Sequence, residues 1–127
     1  MKFGVCAGIQ QAAALKQAGF DFLECSVVSL MPEKEDAEVR ELLRTYNESP
    51  LPVEACNIFL PRNLSVVGEQ VDEDRIRRYV EKALERVKDI GADTVVFGSG
   101  KARAVPEGFA REKAEEQLLH FLNLVAD

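Results

Sequence analysis

The chain has 127 residues, of which 46% are apolar and 30% charged, with a net charge of −6. That length bounds it to one domain able to bury a core, and the apolar share excludes a disordered chain. The acidic balance argues against a nucleic-acid backbone or an anionic membrane as the main partner.

In chain order, residues 2–6 form a short strand closed by Ala7-Gly8. Residues 10–18 form a helix of small residues around Leu15, stopped by Gly19 in the left-handed conformation that ends helices. The second strand spans residues 22–27, with Glu24 interrupting its apolar run; such a charge must face water, a partner or a ligand. A loop over 28–35 leads to Asp36, the expected N-cap of a helix carrying Val39, Leu42, Leu43 and Tyr46. Breakers over 47–52 end it, and the third strand covers 53–59. Asp72 caps the longest helix, whose apolar stripe runs from Ile76 to Ile90 before Gly91. The fourth strand is 94–97, followed by a polar loop over 98–108 and a helix over 111–126. The chain stops inside that helix without a breaker, which leads us to expect further structure downstream.

Cys6, Cys25 and Cys56 each sit in an apolar strand-like run. The odd count without zinc-type spacing predicts buried, reduced thiols and a cytoplasmic, reducing compartment. The N-terminus lacks a signal-peptide pattern, and no apolar run reaches a membrane span.

Lys16-Gln17-Ala18-Gly19-Phe20-Asp21 and Lys88-Asp89-Ile90-Gly91-Ala92-Asp93 repeat one helix-to-strand turn, so a single βα unit recurs. The fold class is α/β, with order β-α-β-α-β-α-β-α and parallel pairing through right-handed crossovers. Four such units make either an open doubly wound sheet or half of a (β/α)8 barrel with strands in order 1-2-3-4. The long loops all follow strands and the turns after helices are short, which favours the half barrel, a single unit over residues 1–127. Its inner face and two strand edges would lie open, so self-association or a complementary half-barrel is expected.

Gly98-Ser99-Gly100-Lys101 has the look of a phosphate cradle but not the spacing of a P-loop; the alternative is a strand end needing small residues near a ligand or a neighbouring loop. Arg103 is either an anion ligand or a solvated loop cation. Glu54 reads as a strand-start charge reaching solvent. His120, the only histidine, sits beside Leu119 and Phe121 on the last helix and reads as a helix-surface residue.

Lys2-Phe3-Gly4-Val5, Ala18-Gly19-Phe20-Asp21-Phe22-Leu23-Glu24, Cys56-Asn57-Ile58-Phe59-Leu60-Pro61 and Val96-Phe97-Gly98-Ser99-Gly100 stand in an order that resembles xylose-isomerase-like barrels. This superfamily holds sugar-phosphate isomerases, tagatose-type 3-epimerases and endonuclease IV. The resemblance runs over the whole chain, but over only the first half of a family barrel of ~250 residues. It implies a divalent-metal enzyme (Mn, Co, Mg or Zn) that moves a proton at a sugar carbon beside a carbonyl. It places Glu24 on the substrate side of the pocket as the catalytic candidate and Asn57 at the mouth of the third strand. The 98–108 loop, with Ser99 and Arg103, would lie over the pocket, giving three substrate-binding candidates for a sugar or sugar phosphate. For Glu24 the alternative is a carboxylate paired with a neighbouring basic residue, and for Asn57 a cap on the following loop. The metal ligands of the epimerase branch come from later strands, so no metal ligand is assigned in this chain. The expectation is a half-barrel that self-associates and is inactive alone. The alternatives are a homodimeric full barrel with sugar-binding or epimerase activity, and an open α/β binding domain.

Overall fold

The computed structural model describes residues 1–127. Four parallel strands, β1 (Gly4–Cys6), β2 (Phe22–Ser26), β3 (Val53–Asn57) and β4 (Thr94–Val95), pair in the order β1-β2-β3-β4. Their partners in sequence are helices α1 (Ala12–Gln17), α2 (Asp36–Asn47), α3 (Glu73–Asp89) and α4 (Arg111–Ala126). Strand order never reverses, so there is no switch point of the doubly wound kind and the sheet is half of a (β/α)8 barrel.

The strand register sorts the side chains. Cys6, Phe22, Glu24, Ala55, Asn57 and Thr94 share one face. Val5, Leu23, Cys25, Cys56 and Val95 share the other, where Tyr46, Tyr79, Ala83 and Phe121 pack from the helices. The core therefore lies wholly between sheet and helices. At its upper end Phe59, Phe97 and Phe121 form a cluster, with Phe97 and Phe121 5.0 Å apart between ring centres. Each such aromatic contact contributes ~0.5–1.5 kcal/mol beyond its buried area.

Several elements are shorter than their sequence pattern predicts. β1 begins at Gly4 because the Phe3 N–H bonds the Asp21 carboxylate, at 2.7 Å, in place of a strand carbonyl. β2 stops at Ser26, whose hydroxyl accepts the Ser29 N–H at 3.3 Å and starts a 3-10 turn over Val27–Leu30 inside the expected loop. β3 stops at Asn57 because Ile58 turns left-handed, with φ 44°. With β3 ended, β4 finds ladder partners only for Thr94 and Val95. The first helix opens as a 3-10 turn over Ile9–Gln11.

Glu35, not Asp36, is the N-cap of α2. The Glu38 carboxylate reaches back to accept the Glu35 N–H at 3.0 Å, while Asp36 turns outward to cations of α3. Asp72 does cap α3, accepting the Arg75 N–H at 3.0 Å. Gly19 and Gly91, with φ 93° and 84°, end α1 and α3 as their turns require.

Candidate functional site

β2 and β3 carry Glu24 and Asn57 onto the open sheet face one step apart in register, Glu24 opposite Ala55 and Ser26 opposite Asn57. That diagonal lets the Asn57 amide Nδ2 donate to Glu24 Oε1 at 2.9 Å. The amide orientation follows from chemistry, since its oxygen facing a carboxylate would be repulsive. Both side chains are half-buried. Neither alternative from the sequence holds alone: Glu24 is paired with an amide, not a cation, and Asn57 bonds across the sheet. The Cys6 thiol also reaches both side chains, and the pair still has more donor and acceptor positions than these contacts use, so it can meet hydroxyl groups.

Cys6 completes this face from β1. The expectation that all three thiols are buried fails here: Cys6 is exposed, because its register puts it on the face no helix covers. Desolvation and the adjacent Glu24 charge push its thiol up. Cys25 and Cys56 point into the core, where burial pushes them up to about 11 and about 12. Together Cys6, Glu24, Ser26, Tyr46, Asn57 and Ile58 help line an open cavity of about 400 Å³ at the carboxyl ends of the strands.

The rim is fixed by its own bonds. Ser29 Oγ donates to the Ser26 carbonyl at 2.6 Å, which commits its only hydrogen, so Tyr46 Oη donates to Ser29 Oγ at 2.7 Å. Met31, Ile58 and Ser99 all take left-handed φ, 50°, 44° and 30°, and they stand after β2, β3 and β4 respectively. These are the non-glycine residues of the chain with positive φ, and all three lie on the loops that follow strands. Such backbone costs about 1–3 kcal/mol per residue and persists where surroundings enforce it.

Sequence reasoning missed the residue that holds the backbone at Met31. Arg86 of α3 is 1% exposed, and its guanidinium holds the carbonyls of Leu30 (2.9 Å), Met31 and Lys34 (2.5 Å) and the Asp36 carboxylate (3.0 Å). It pins the loop after β2 from beneath. The Arg86 hydrogen bond comes first among the causes that lower the Asp36 pKa. The only sequence signal was position: Arg86 lies four before Ile90 and three after Ala83, inside the apolar stripe rather than opposite it.

The remaining candidates lie apart from the pair. Ser99 Oγ accepts the Leu60 N–H at 3.0 Å, tying the loop after β4 to the loop after β3. Arg103 donates to the Gly98 carbonyl at 2.6 Å and stays exposed, folding the 98–108 loop upon itself. Glu54 reaches Lys2 at 2.7 Å across the opposite end of the sheet. His120 is a surface residue 3.5 Å from Glu73. A larger cavity of about 480 Å³ lies between the loop after β2 and α3, but much of its charge is already engaged, Arg75 with Glu33 at 2.6 Å and Lys82 with Asp36 at 3.2 Å.

The open face does not make a metal centre from this chain alone. Glu24 is the one carboxylate of this face, and no group of three or more His, Cys, Asp or Glu side chains that could hold a metal ion is gathered in the chain.

A family model described as xylose isomerase-like TIM barrel matches residues 12–127. Among solved structures, the chain is similar to 3-keto-D-glucoside 4-epimerase, YcjR, from E. coli in its apo form, with a TM-score of 0.64 and 16% identity. The match covers 98% of this chain and 50% of that one, so this chain spans half the length of that barrel. No curated protein sequence matches.

Proposed function

The chain belongs to the xylose isomerase-like TIM-barrel family, and on that premise we propose that it forms the first half of a sugar or sugar phosphate isomerase or epimerase site. In this reading Glu24 and Asn57 are the wall that binds substrate hydroxyls, and the chain by itself turns nothing over. The observation that carries the reading is the 2.9 Å hydrogen bond joining the two on the open face, at the strand ends where barrels of this kind hold ligands. A carboxylate and an amide locked side by side offer acceptors and a donor at the spacing of neighbouring hydroxyls on a sugar.

Catalysis needs more. Moving a proton at a carbon beside a carbonyl takes a base and a group that stabilises the enolate oxygen. Glu24 supplies one carboxylate; the divalent metal that families of this kind use would draw its other ligands from strands beyond these four. Ser99 belongs to the outer rim in this reading, whereas Arg103, set against α4 beside Arg111 and Leu118, lies outside the cavity that Glu24 and Asn57 line.

Amide NMR titration with an unphosphorylated ketohexose and with a ketopentose phosphate tests the binding. Shifts centred on Cys6, Glu24, Asn57 and Ile58 that vanish in Asn57→Ala are expected. Absence of shifts at saturating sugar sinks the reading. An epimerase assay of the purified chain with Mn²⁺, Co²⁺, Mg²⁺ or Zn²⁺ should show no turnover above background, and turnover would refute the claim of silence.

A further inference from the structure

We propose that the groove between α3 and α4 binds a small organic ammonium ion, a primary amine carried on an apolar body the size of one aromatic ring. Glu73, Glu116 and His120 take the ammonium at the mouth, and the hydrocarbon floor beneath takes the body.

The groove is a cavity of about 230 Å³ walled by α3, α4 and residues 66–71. Its floor is Val66, Ile76 and Phe121, all buried, and the half-buried Val71 and Leu124 form its sides. Phe59 and Phe97 back the Phe121 ring, so the floor is firm. The amide of Gln117, a further wall residue, is already spent. Its Oε1 accepts the Gly68 N–H at 2.7 Å, and its Nε2 donates to the Gly68 carbonyl at 2.9 Å. What enters must therefore be apolar at its inner end. A hydrocarbon cavity of ~150 Å³ accepts a benzene ring, so this one has room for a ring on a short arm.

The three exposed wall residues, Glu73, Glu116 and His120, set what stands at the outer end. Glu73 lies four residues before Arg77 on α3, a spacing at which helix ion pairs form. It turns instead across the groove, to within 3.5 Å of His120 on α4. Glu116 likewise makes no ion pair with Lys113 three residues before it, although Arg111 and Glu115 on the same helix pair at 3.0 Å. Neither Arg77 nor Lys113 is among the walls. Two carboxylates thus stand over hydrocarbon with no cation of the chain between them. Like charges at one mouth repel, and a cation placed there relieves both. Asp72 and Asp74, on either side of Glu73 in the chain, add to the negative potential. An anion is repelled by the same groups, and a neutral head leaves their charge unanswered. An ammonium brings three donors, and the two carboxylates and the unprotonated nitrogen of a neutral imidazole offer the acceptors.

Titration with phenethylammonium at fixed pH, followed by NMR of the His120 ring protons, tests this. His120 is the only histidine, so its ring signals report on this mouth alone. Saturating shifts of those signals and of the Phe121 and Leu124 amides are expected, with half-saturation at about 1 mM or tighter. Phenethyl alcohol, the neutral analogue, should bind about fivefold more weakly, and the anion hydrocinnamate more weakly still. Glu73→Gln and Glu116→Gln, both at exposed positions, should each cost about threefold in affinity and together about tenfold. Glu112→Gln, on α4 but outside the groove, should leave affinity unchanged. Val71→Phe, which fills the groove from its side, should abolish binding in a chain that circular dichroism shows to be folded. Still His120 signals at about 20 mM amine, equal affinity for amine and alcohol, or undiminished binding by the double variant overturns the inference. This cavity shares no residue with the one that Glu24 and Asn57 line, so either result leaves the proposed function to its own test.

Discussion

Tyr79 Oη donates to the carbonyl of Phe59 at 2.8 Å, a buried bond that ties α3 to the exit of β3 two residues beyond Asn57. Burial holds the Tyr79 phenol protonated by pushing its pKa well up. Tyr79→Phe keeps the packing and leaves the carbonyl without its partner. The expected loss is about 1–2 kcal/mol of unfolding free energy by urea titration. A variant as stable as the parent would show that the bond contributes nothing.

Arg86 gives a larger effect. Arg86→Met removes a guanidinium that serves three backbone carbonyls, and the loop after β2 loses its anchor. A loss of about 3 kcal/mol or more is expected, since buried acceptors are left unpaired. Arg86→Lys should recover only part of it, because an ammonium on a flexible stem cannot span the same carbonyls. Equal stability of the lysine variant and the parent would contradict this account.

Arg86 also marks the limit of what the sequence disclosed. The βα order, the Asp72 cap and the bounds of α4 were legible because hydrophobic period and turn glycines encode them locally; the strand sequence 1-2-3-4 was legible only from the long loops after strands and the family resemblance. Glu24 was legible as a polar break in an apolar strand and Asn57 through the resemblance, but their mutual hydrogen bond was not, since register across β2 and β3 includes an irregularity at Leu23 and Glu24. An arginine in an amphipathic helix reads as a solvated charge. Its partners are backbone carbonyls some fifty residues away, and no side-chain pattern announces them. Cys6 misled for a related reason: an apolar run says strand but not which face the helices will cover.

Stability should fall at both pH extremes, for opposite reasons. Asp36 and Glu33 have pKa values lowered, chiefly by hydrogen bonds from Arg86 and Arg75. Their contribution is present above ordinary carboxylate values and is lost as pH falls through the lowered folded ones. Cys25 and Cys56 run the other way. Raised from 9.0 to about 11 and about 12, they favour the fold below pH 9.0, and that contribution is lost as pH rises toward their folded values. Thermal melts of Asp36→Asn should show a flatter acid limb, and melts of Cys25→Ala with Cys56→Ala a flatter alkaline limb. Unchanged slopes would remove these groups from the explanation.

Ile58 offers a test of stored strain. A β-branched residue at φ 44° is unfavourable, and its side chain is half exposed, so little burial depends on it. Ile58→Asn, which tolerates the left-handed region, should raise stability by ~0.5–1 kcal/mol. If sugar binding weakens in the same variant, the strain serves to aim Asn57; if stability drops instead, the backbone is not what limits this position.

The Glu24–Asn57 pair can be probed by charge. Asn57→Asp replaces the donating amide with a second carboxylate within hydrogen-bond reach of Glu24. Two carboxylates so placed cannot both ionise freely, and they share a proton with one apparent pKa raised. The variant should therefore be less stable at neutral pH and regain stability as pH falls, the opposite of the acid limb set by Asp36. Adding Glu24→Gln restores a donor and an acceptor in exchanged positions, so the double variant should recover neutral stability. Carboxyl NMR titration of the single variant would show a proton taken up well above the ordinary glutamate range. Two independent, unshifted titrations would mean the side chains do not meet, and the wall assigned to sugar hydroxyls would lose its geometry.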